Sequence, residues 1–198
     1  MTTSSSAYVA KNYDRLLGTA GFSDQLLKNH FTLYGGYVTN TNKVSDILLA
    51  LVKEGKQANP EFAELKRRFG WEFNGMRLHE LYFDNLANGG AAMDPGSNLA
   101  KKINETYGDH ATWEKDFRGT GAMRGIGWTI MVHDNQSGKI FNTWVNEHDV
   151  GHIATCTPLL ILDVFEHAFM IDYGLRRADY IEAFVKAIDW KVVQSRFK

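Results

Sequence analysis

A chain of 198 residues can bury a sizeable core, as one domain or as two small lobes sharing an interface. Its 22 Lys and Arg against 23 Asp and Glu leave a net charge of -1, which excludes the global basic field of a nucleic-acid or anionic-membrane binder. One cysteine, Cys156, excludes a disulfide framework and reads as an apolar filler; no apolar run approaches a signal peptide or the roughly 18 residues of a membrane span, so the sequence predicts a soluble, cytoplasmic protein.

Residues 1 to about 20 have little period and read as an extended lead-in that packs across the body. Ser23, followed by Asp24 and Gln25, predicts a helix cap. From there Leu26, Leu27, Phe31, Tyr34, Tyr37 and Val38 recur at helical spacing and carry the helix towards the fifties. Gly55 and Asn59-Pro60 mark a turn, after which EFAELKRRFGWEFNGMRLHELYFDNLA restarts a helical pattern. Two antiparallel helices are the expected first lobe. Gly89, Gly90, Asp94, Pro95 and Gly96 form the strongest turn signal and set a boundary near residue 92, giving a helical hairpin domain over 1-92 and an α/β domain over 93-198. Beyond it, SNLAKKINETYG and ATWEKDFRGTGAM read as short amphipathic helices. WTIMVHD and KIFNTWV flank Asn135-Gln136-Ser137-Gly138 as a β-hairpin, and PLLILD is a third strand. The final segment, ADYIEAFVKAIDWKVVQSRF, puts Ile181, Phe184, Val185, Ile188 and Val192 on one face of a single helix.

Asp163 and His167, four apart just after an apolar strand, can share one metal ion, and a full coordination sphere needs further ligands. His30 in the first helix and His79 in the second are the candidates. Seven residues at about 100° each return nearly to the starting azimuth, so His30, Tyr34 and Tyr37 line one stripe. A lone histidine in a helix interface is more often a packed one. Here a histidine on each of two pairing helices joins an Asp/His pair at a strand end, and that set suits iron or manganese better than zinc.

The run DVFEHAFMIDYGLRRADYIEAF resembles the C-terminal signature of the iron/manganese superoxide dismutases, DxWEHAYYxDYxNxRxDY, and LYFDNLANGG, GIGW and YVTNTN extend the match over nearly the whole chain. The resemblance implies an α+β fold: an N-terminal antiparallel helical hairpin followed by an α/β lobe with a three-stranded antiparallel sheet. It also implies that His30, His79, Asp163 and His167 hold one iron ion per subunit, with manganese as the alternative. The implied activity converts superoxide to dioxygen and peroxide by alternate reduction and oxidation of that ion. The alternative is a non-catalytic or differently reactive metal-binding member of the same fold.

Family members commonly send a glutamine to the metal-bound solvent from the second helix or from the sheet lobe. This chain has Gly75 at the helix position, and NEHDVGH offers His148 near the other, with Glu147 as the alternative; a glycine leaves space that an imidazole from the sheet lobe can fill. Tyr37 and His148 are thus the expected catalytic residues beside the metal ligands. His152 is a weaker candidate, and His110 and His133 read as surface residues. Where the family usually has HxxxHHxxYV, NHFTLYGGYV shortens the ligand-to-tyrosine spacing to seven, which predicts a regular helix without a π-bulge. Met170 replaces the second tyrosine of EHAYY, and Phe165 and Phe83 replace other pocket aromatics, leaving Tyr34, Tyr37, Phe83, Trp128 and Phe165 as the expected wall. The retained Glu166, expected in a buried segment, would bridge to His167 of a neighbouring subunit in a homodimer or homotetramer, and Arg177 would attract the anion. No nucleic-acid or membrane partner is expected.

Overall fold

The computed structural model describes residues 7–198, so residues 1–6 of the expected lead-in lie outside the described residues. The rest of the lead-in has no regular element but a 3-10 turn at Asp14–Leu16, after which further turns lead to Ser23. It packs across the hairpin as expected: Tyr13 and Leu16 are buried, and Arg15 donates to the carbonyls of Phe83 and Leu86.

Helix α1, Asp24–Lys53, starts where Ser23 Oγ accepts from the amide of Leu26, satisfying one of the donors a helix N-terminus leaves free. It is α-helical throughout, with no π turn between His30 and Tyr37. Helix α2, Pro60–Asp84, begins with proline at its first turn, where the missing N–H costs nothing. The two run antiparallel, with Tyr34 beside Glu80 and Tyr37 over Gly75.

Helices α3, Asn98–Tyr107, and α4, His110–Gly121, lead into the sheet, and each is capped by a side chain, Ser97 and Asp109. Strands β1, Gly127–Asp134, β2, Ile140–Asn146, and β3, Cys156–Asp163, form an antiparallel sheet in the order β2-β1-β3. Trp128 faces Val145 on one side and Asp163 on the other. The free edge of β3 is closed by Asn85, whose side-chain amide accepts from Ile161 N and donates to Ile161 O, as a neighbouring strand would. Because Asn85 caps α2, this clamp fixes the helix that carries His79 against the strand that ends in Asp163. Arg196 reinforces it, donating to the carbonyls of Leu81 and Leu159 and to Asn85 Oδ1.

After β3 come a 3-10 turn at Glu166–Ala168 and the short α5, Met170–Tyr173. The single terminal helix expected from periodicity is instead two, α6, Arg177–Ala187, and α7, Trp190–Arg196. Ile188 is extended, its carbonyl accepts from Ala91 N, and Asp189 N and Trp190 N donate to the carbonyls of Asn85 and Ala91. These bonds to the segment after α2 replace the helical ones, and Asp189 recaps the chain by accepting from Lys191 N. Both halves of the molecule contribute to one buried cluster, with Leu26, Tyr82 and Phe83 from the hairpin against Trp128, Leu160 and Phe184.

Candidate metal centre

The interface between hairpin and sheet lobe gathers His30 from α1, His79 from α2, Asp163 from the end of β3 and His167 from the following 3-10 turn. One ligand atom from each lies within 4.8 Å of all the others. Asp163 Oδ2 is 3.2 Å from His30 Nε2, 3.6 Å from His79 Nε2 and 3.2 Å from His167 Nε2. All four sequence-predicted ligands therefore meet.

Two of the four, His79 and Asp163, are aimed by a second contact. His79 Nδ1 sits 2.5 Å from the carbonyl of Gly75, which must accept, so the proton is on Nδ1 and the Nε2 lone pair faces the cluster. That Nε2 is buried and has no hydrogen-bond partner among the described residues. A group left this way costs about 1–3 kcal/mol, and a cation at the focus of the four side chains satisfies it. The amide of Phe165 donates to Asp163 Oδ1 at 2.9 Å and the hydroxyl of Tyr180 to the Asp163 carbonyl at 2.7 Å, leaving Oδ2 for the centre. Tyr180 is fully buried against Tyr82, a support that only the DY pair of the C-terminal signature hinted at.

Burial lowers the pKa of His30 and drives that of His79 well below the ordinary imidazole value, so both rings are neutral and free to ligate. Burial alone pushes the Asp163 carboxyl up, but the adjoining His167 and His30 rings outweigh it and hold it well below the carboxylate range. Neutral imidazoles with one carboxylate fit an ion of borderline to hard character such as iron or manganese.

His148 reaches the site from a tight turn between Asn146 and Val150, whose amides and carbonyls pair with each other. Glu147 adopts φ 52 there, a left-handed conformation that costs a non-glycine residue about 1–3 kcal/mol and swings the next side chain inward. His148 is fully buried, with Nε2 2.8 Å from Tyr37 Oη and Nδ1 3.1 Å from Trp128 Nε1. Glu147 instead accepts from Trp71 Nε1 at 3.1 Å. The space above Gly75 is filled differently from expectation: a Cβ there would lie 2.6 Å from the Tyr37 ring, so the phenol occupies it and His148 meets only the phenol's hydroxyl end.

Trp128 and Phe83 pack at 5.0 and 4.9 Å from the rings of His79 and His30, and Phe165 at 5.1 Å from that of His167, completing a largely apolar wall. Tyr34 departs from its expected place in that wall. Its ring is 6.5 Å from His79, and its hydroxyl donates to Oε1 of Glu80, whose Oε2 accepts from Arg77, while accepting from Lys11 N. It is a strut between lead-in and hairpin. Trp71, 4.5 Å from the His148 ring, carried no motif that would have found it.

Glu166 is exposed in the single chain, contrary to the buried segment expected, because the 3-10 turn points it outward beside the exposed Met170. Arg177 donates at 2.6 and 2.8 Å to the carbonyls of Met123 and Gly125, so it pins the loop before β1. His152 contacts the His148 carbonyl, His133 packs on Phe197, and His110 lies against Trp113 and Trp190.

A helical hairpin and a three-stranded α/β lobe enclosing three imidazoles and a carboxylate define a mononuclear metalloprotein. Residues 95–196 match the family model for iron/manganese superoxide dismutases, C-terminal domain. The chain is 34% identical to "Superoxide dismutase (Fe)" of Aquifex aeolicus over 90% of its length and 85% of the relative's. It is 32% identical to "Superoxide dismutase (Fe)" of Cupriavidus metallidurans, covering 89% of each, and 31% identical to "Superoxide dismutase (Mn) 2" of Haloferax volcanii, covering 89% and 87%. The chain belongs to the iron/manganese superoxide dismutase family. No helix among the described residues is long and apolar enough to cross a membrane.

Proposed function

We infer that this protein is a superoxide dismutase, converting superoxide to dioxygen and hydrogen peroxide at one iron or manganese ion per chain. The observation that carries the reading is the buried convergence of His30, His79, Asp163 and His167, with an unpartnered lone pair on His79. An iron or manganese ion held there supplies one-electron exchange in both directions. Iron is the reading we prefer, with Gly75 and His148 at the two glutamine positions in its support; manganese is the alternative.

The chain's own residues have three tasks. Trp128, Phe83 and Phe165 narrow the approach to reactants of diatomic size and exclude bulk water. Tyr37 keeps a proton close to the site, since burial raises its phenol above the ordinary value. His148 orients that phenol and stays neutral near pH 7, its pKa lowered by burial to about 4. The exposed Glu166 beside His167 supports a homodimer or homotetramer joined through these two residues. A division of the chain near residue 92 and a cytoplasmic location, supported by the single cysteine, belong to the same reading.

Superoxide disproportionation and metal content, measured on protein reconstituted separately with iron and with manganese, test it. Turnover with one or both metals is expected, and its loss in His79→Ala and Asp163→Ala. Full metal loading without turnover would favour the non-catalytic alternative.

A further inference from the structure

We propose that Trp71 and Asn74, one turn apart on α2, are positioning residues that latch segment 147–155 of the sheet lobe to the helical hairpin and so decide whether His148 stays seated. This segment has little hold of its own. From Asn146 to Thr155 every residue except His148 is exposed, so a single side chain anchors the stretch by excluding water. Glu147 at φ 52 and Thr155 at φ 64 bracket it, and no other non-glycine residue among the described residues has a positive φ. Both ends therefore carry backbone strain, which persists only where surrounding contacts over-determine the conformation.

Within the sheet lobe the turn is tied by the pairing of Asn146 with Val150 and by His152 Nε2, which donates to the His148 carbonyl at 2.8 Å. The ties that cross to the hairpin come from one face of α2. Trp71 Nε1 donates to Glu147 Oε2 at 3.1 Å, and the side-chain amide of Asn74 lies 3.3 Å from His152 Nε2. The Trp71 ring also packs 4.5 Å from the imidazole of His148. One side chain thus braces both the strained residue and the buried residue that the strain turns inward. Arg68 fixes that side chain in turn: its guanidinium lies 3.9 Å from the centre of the indole ring while its Nε donates to the buried Glu72 at 2.7 Å. A phenylalanine at 71 could pack on His148 but could not donate to Glu147.

This inference rests on the reading of His148 as a residue serving the metal site, and its main test is independent of turnover. In amide hydrogen exchange on metal-loaded protein, Trp71→Phe should make segment 147–155 exchange roughly three- to tenfold faster, with α2 and β1 unchanged. Glu147→Ala should match it, whereas Glu147→Gln, which still offers the indole a carbonyl oxygen, should keep the wild-type rate. Unchanged exchange in Trp71→Phe, or faster exchange in α2 as well, would overturn the latch, the second by reducing Trp71 to core packing. Glu147→Gln behaving like Glu147→Ala would also overturn it. Should Trp71→Phe not fold, the two variants at the exposed Glu147 still decide. Turnover should fall severalfold in Trp71→Phe, and that loss should vanish in a His148→Ala background; an undiminished loss there would remove His148 as the residue being positioned. The expected exchange pattern in a protein without turnover would sink the proposed activity alone.

Discussion

The two sides of the metal cluster are built differently. His30 and His79 lie inside long continuous helices, more than one turn from the nearer end, their side chains 1% and 0% exposed. Asp163 ends a strand and His167 follows in a 3-10 turn of three residues, 29% exposed, between the exposed Glu166 and the half-exposed Met170. Helix interiors place an imidazole through many cooperative bonds, whereas a short turn places it through few. The centre therefore has an inner wall set by the hairpin and an outer wall that borders the surface.

Loss of ligands should divide along that line. Asp163→Ala removes the sole carboxylate and its contacts to three imidazoles, and should cost more than the roughly 100-fold in metal affinity typical at the upper end for residues that only support ligands. His167→Ala should cost less. Metal titration of both variants checks the order, and equal losses would break the distinction between the walls.

The second effect is on acid stability. His148 titrates at about 4 in the folded chain and near 6.5 unfolded, so its contribution is intact above pH 6.5 and is lost progressively as the pH falls to about 4. The linkage amounts to roughly 3 kcal/mol over that window. Urea denaturation of metal-free wild type against His148→Gln, which cannot titrate, should show the wild type losing about that much more.

Smaller effects separate two helical glycines. Gly75→Ala drives a Cβ into the Tyr37 ring, an overpacking that costs about 1–3 kcal/mol and exceeds the roughly 1 kcal/mol gained in helix propensity. A Cβ added at Gly35 would meet nothing within 4 Å, so Gly35→Ala should stabilise by about 0.5–1 kcal/mol. Opposite shifts in thermal midpoint are expected. Smallest for the fold is Glu166→Ala, within about 0.5 kcal/mol for an exposed residue, yet it should weaken self-association in sedimentation; an unchanged oligomer would remove Glu166 from the interface.

Much of the centre could be read from the residues. The spacing of Asp163 and His167 behind PLLILD, the Ser23 cap and the turn at Asn135–Gly138 are local signals, and the structure places a cap, a hairpin and a contacting Asp/His pair there. Periodicity also put His30 and Tyr37 on one stripe of a regular helix. It could not reveal that Ile188 leaves the helix to bond Ala91, that Tyr34 turns to Glu80, or that the phenol of Tyr37 occupies the room above Gly75.

The chain's amino-acid order thus set the faces, caps and turns, because these depend on neighbours within one or two helical turns. Tertiary packing alone settled which polar group meets which across elements, from the Asn85 clamp on β3 to the contact between His148 and Tyr37. A hydrogen-bond partner more than a hundred residues away leaves no trace in local periodicity, and its choice follows only from which surfaces exclude water together.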